Sequence, residues 1–119
     1  SQQELLKTVV LALDAAGIDY MLTGSLFQVY KANLDQSRFS RKIIEEISGT
    51  RVKVSSPEDT ILAKLRWCKL SGGNEKQFVD ALRVYEVQGD KLNTVYLETW
   101  ITRLELESLW SRLVREAEI

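Results

Sequence analysis

The sequence predicts an α+β domain, with a short mixed sheet flanked by helices and a helical C-terminal portion. Three observations predict it. Runs of β-forming residues at 19–23, 26–30 and 51–55 lie in the first half, between glycine-containing turns. From Ser56 onward, apolar residues recur at helical spacing almost to the end. The chain has 119 residues, of which 45% are hydrophobic and 28% charged. That is an ordinary globular balance in a length suited to one core. The expected organisation is a single domain over 1–119, with an α/β part at 1–55 and a helical part at 56–119 expected to pack on it.

In chain order, the first helix is expected from Gln3 to Ala16, with Leu5, Leu6, Val9, Val10 and Leu13 as its apolar stripe and Gly17 as its stop. Asp19 to Thr23 reads as a strand, closed by Gly24-Ser25, and Leu26 to Tyr30 as a second strand. A loop is expected over Lys31 to Gln36. Ser37 or Ser40 would cap a helix reaching Ile47, with Phe39, Ile43, Ile44 and Ile47 inward. Gly49-Thr50 turns the chain into Arg51 to Ser55, which alternates as an edge or surface strand would. Ser56, Pro57, Glu58 and Asp59 are a strong helix start, because they satisfy free N–H groups and suit the helix dipole. That helix would run to Leu70, bury Ile61, Leu62, Leu65 and Cys68, and end at Ser71-Gly72-Gly73. Asn74 would cap a helix to Val87, and two more are expected at 92–103 and 107–118, with a weak break near Glu105.

Net charge is −1, so no global positive field advertises nucleic-acid binding. There is no His, which removes the commonest general base and every His-containing metal site. A metal would have to be held by carboxylates, which points to Mg²⁺ or Mn²⁺. The only cysteine is Cys68, so no internal disulfide forms and a reducing, cytoplasmic setting is expected. The start, Ser1-Gln2-Gln3-Glu4, has no secretory pattern, and its missing Met suggests a trimmed end. No apolar run has the length of a membrane span, so no membrane partner is expected.

Three stretches together resemble one family: Gly17 to Ser25, Ser56 to Trp67, and Lys76 to Leu82. With Tyr96 to Trp100 behind them, their order is similar to bacterial nucleotidyltransferase-like proteins related to the AbiEii toxins. The resemblance covers most of the chain. It implies a nucleotidyltransferase fold in which Gly24 and Ser25 cradle phosphate oxygens and Lys64 reaches the triphosphate or the acceptor. It also implies divalent metal, Mg²⁺ or Mn²⁺, and movement of a nucleoside monophosphate from a nucleoside triphosphate to an RNA, protein or small-molecule acceptor. The departure from the family is specific. There, a helix and then a strand with an Asp-x-Asp pair follow the Gly-Ser turn, whereas here Ser25 is followed at once by Leu26. Either the chain has lost that segment or the intact protein carries residues missing here. In the first case a partner-binding or nucleotide-binding scaffold without catalysis is expected. If the two strands are contiguous, only a tight hairpin can join them. The nearby carboxylates, Asp19 and Asp35, stand at the wrong ends of their segments.

The remaining polar residues have plainer expectations. Lys64 would otherwise pair with Asp80 on the next helix, since a charge on an apolar face needs a partner. Capping accounts for Glu58 and Asp59. Arg38, Arg41 and Lys42 make a small basic cluster suited to phosphate or to solvent. Trp67, Trp100 and Trp110 are expected in the core, and Cys68 is expected to pack rather than react.

Overall fold

The computed structural model describes residues 2–17, 20–23, 26–29, 40–47 and 49–118. The fold is α+β, and the chain divides after Ser56 into two compact units.

The first unit begins with α1 (Gln2–Ala15). Its buried residue is Val10, with Leu6 and Leu13 packed beside it, a spacing of four and three that keeps one helical face inward. Leu5, expected on the same stripe, is 64% exposed because it falls off that face. Gly17 takes φ +70 and donates its N–H to the Asp14 carbonyl, which ends the helix. The strands are β1 (Tyr20–Thr23), β2 (Leu26–Val29), β3 (Ile43–Ile47) and β4 (Thr50–Val54). They form one mixed sheet in the order β2-β1-β4-β3. β1 pairs antiparallel with β2 and parallel with β4, and β3 pairs antiparallel with β4. Val10, Tyr20 and Val52 join α1 to the sheet, with Ile47 and Val54 against them.

Two expectations are corrected in this unit. Residues 43–47 form a strand, not the end of a helix. Ile43, Ile44 and Ile47 fit a helical period, but β-branched side chains favour the extended form once a partner strand is adjacent. The partner is β4, reached through Gly49 at φ +79, with Ile47 opposite Thr50 and Ile43 opposite Val54. As a result β4 is an inner strand rather than an edge, and Val52 at its centre is fully buried. The loop expected over 31–36 and the helix start at Ser37 lie outside the described residues.

The second unit contains α2 (Pro57–Leu70), α3 (Glu75–Gln88), a 3₁₀ turn (Gly89–Lys91), α4 (Thr94–Arg103) and α5 (Glu107–Glu116). α2 buries Ile61, Leu62, Leu65 and Cys68, which meet Phe78, Ala81 and Leu82 of α3 in one core. Leu97 and Ile101 of α4, Leu113 of α5 and Leu106 between them complete it. α2 ends in a double bond pattern, Gly73 N–H to the Cys68 carbonyl and Gly72 N–H to the Lys69 carbonyl. This is a Schellman stop, and φ of +80 at Gly72 and +100 at Gly73 suits glycine. Asn74 then starts α3, its side chain accepting from Lys76 N–H at 3.0 Å and Gln77 N–H at 3.4 Å. α4 begins two residues later than expected, because the Asn93 side chain caps it by accepting from Tyr96 N–H.

Candidate functional site

Of the residues that the resemblance singles out, Lys64 alone is among those described. Gly24 and Ser25 lie outside the described residues, as do Asp19, Asp35 and Arg38. Their flanks are placed: Thr23 pairs with Leu26, Leu22 with Phe27 and Tyr20 with Val29. Two residues separate the paired ends, and the position beside β1 is filled by β2 on one side and β4 on the other.

Lys64 stands on α2, in the second unit. Its ammonium lies 3.3 Å from a carboxylate oxygen of Asp80 on α3, and Lys76 reaches the same oxygen at 3.0 Å. Asp80 and Lys76 are four residues apart, hence neighbours on one helix face. The Lys76 hydrogen bond, then that of Lys64, hold the Asp80 carboxyl below its ordinary range, although partial burial works the other way. Lys64 and Asp80 side chains are each about a third exposed. The arrangement is a partly solvated ion cluster linking two helices.

A second polar cluster joins the first turn of α2 to the start of α4. Glu58 and Asp59 are 7% and 4% exposed. A Glu58 carboxylate oxygen accepts from Asn93 N–H at 2.9 Å, and Asp59 accepts from the Tyr96 hydroxyl. The first turn of α2 therefore holds the start of α4, beyond the capping expected of these carboxylates. Asn93 as a helix cap and Tyr96 three residues later were the available signals, but the sequence does not say which acid they meet.

The third feature is a surface cavity of ≈ 260 Å³ lined by Cys68, Lys69, Gly73, Glu105, Leu106 and Leu109. Burial, and secondarily the Glu75 carboxylate, push the Cys68 thiol above its ordinary value. It is thus held in the protonated form, which is a poor nucleophile.

The tryptophans divide. Trp67 is 63% exposed rather than in the core, because Leu65 and Cys68 turn the opposite arc of α2 inward. Trp110 meets the Tyr85 ring edge-on at 5.5 Å, and Trp100 lies beside Tyr96 at 6.3 Å. Arg41 and Lys42 of the basic cluster are half-buried just before β3.

Among the described residues, no group of three or more Asp, Glu, Cys or His side chains is placed to hold a metal ion. No helix there is long and apolar enough to cross a membrane. Comparison with protein-family models, curated proteins and solved structures gives no match.

Proposed function

We propose that this chain is a nucleotidyltransferase-related binding module that holds a nucleotide or a partner and does not transfer nucleotide. The observation that carries this reading is the β1–β2 register. With Thr23 opposite Leu26, only residues 24 and 25 separate the strands, and β2 takes the place beside β1. An acidic strand following the Gly-Ser turn has no position in that arrangement. The ion pairing of Lys64 with Asp80 supports the same reading, since a lysine so engaged has a structural use.

The resemblance supports a second reading, metal-dependent transfer of a nucleoside monophosphate to an RNA, protein or small-molecule acceptor. That reading requires an intact protein with an Asp-x-Asp pair between Ser25 and Leu26, and Mg²⁺ or Mn²⁺ at that pair. The carboxylates described here do not supply such a donor set.

Peptide mapping separates the two. Trypsin cuts after Lys7 and Lys31, so a direct Ser25–Leu26 bond yields one peptide spanning 8–31. Finding it, together with nucleoside triphosphate binding by calorimetry and no metal-dependent transfer of label, is the expected outcome. Transfer of label in Mg²⁺ or Mn²⁺ sinks the non-catalytic reading.

A further inference from the structure

We draw no further inference here: the strongest candidate, the exposed surface patch of Trp67 and Leu70 on the last turns of α2, is an unpartnered apolar face, and nothing in the structure shows what covers it.

Discussion

Asp59 and Tyr96 show how much one buried contact contributes here. The Tyr96 hydroxyl donates to a carboxylate that is 4% exposed, 37 positions away in sequence. Tyr96→Phe should destabilise the protein by about 1–2 kcal/mol, as expected when a buried charged acceptor loses a donor. Urea unfolding reads this directly, and an unchanged midpoint would contradict it. Glu105 makes the opposite case. It is the only non-glycine described with positive φ, at +56. Its N–H bonds to the Thr102 carbonyl and the Leu106 N–H to the Ile101 carbonyl, the same stop that Gly72 and Gly73 provide for α2. A side chain in this left-handed conformation costs about 1 kcal/mol. Glu105→Gly should therefore raise stability by up to roughly that amount, read as a higher melting temperature. At Asp80 the sign follows from its depressed pKa. Its pairing stabilises above the unfolded-state value near 3.8 and is lost as pH falls through the lower folded-state value. Asp80→Asn should cost up to about 1 kcal/mol at neutral pH, discounted for its solvent exposure. Wild-type and variant stabilities should then converge in acid, as pH-dependent urea unfolding would register.

At the scale of elements, helix ends were more legible than strand partners. Ser56-Pro57-Glu58-Asp59 and Asn74 announce helices by local chemistry, the first by residue types suited to a helix start and Asn74 by satisfying N–H groups of its own first turn. Asn74→Ala should cost about 1 kcal/mol for that reason, and thermal unfolding would show it. Residues 43–47 form a strand where a helical period is also present, because their neighbour is what decides them. Three isoleucines allow either a helical face or a strand, and pairing with Thr50–Val54 settles the choice. The same pairing makes β4 an inner strand, a property no residue within β4 announces. The break near Glu105 was faint because glycine is absent where the conformation favours it. Glu58 and Asp59 were legible as a helix start and not as ties to α4, since contacts over 35 and 37 positions leave no local mark.

At the scale of the whole chain, two units with separate cores account for its behaviour. The core of the second unit runs from Ile61 to Leu113, through all of its helices. A fragment of residues 57–119 should be helical and melt cooperatively on its own, although a unit this small is only marginally stable. A featureless melt by circular dichroism would speak against it. The first unit rests on the smaller cluster of Val10, Tyr20 and Val52 around a four-stranded sheet. Its candidate site was only partly legible. Gly24-Ser25 could be read as a phosphate cradle or as a turn, and the choice depends on what stands beside β1. The most direct measurement is therefore the nuclear Overhauser effect between the α-protons of Leu22 and Phe27. These residues pair one step from the turn, where facing α-protons approach closely in an antiparallel ladder. A strong effect there is the expected result, and it leaves no place beside β1 for an acidic strand. Its absence, or a strong contact from Leu22 to some other strand, would contradict the hairpin and return the transferase reading to first place.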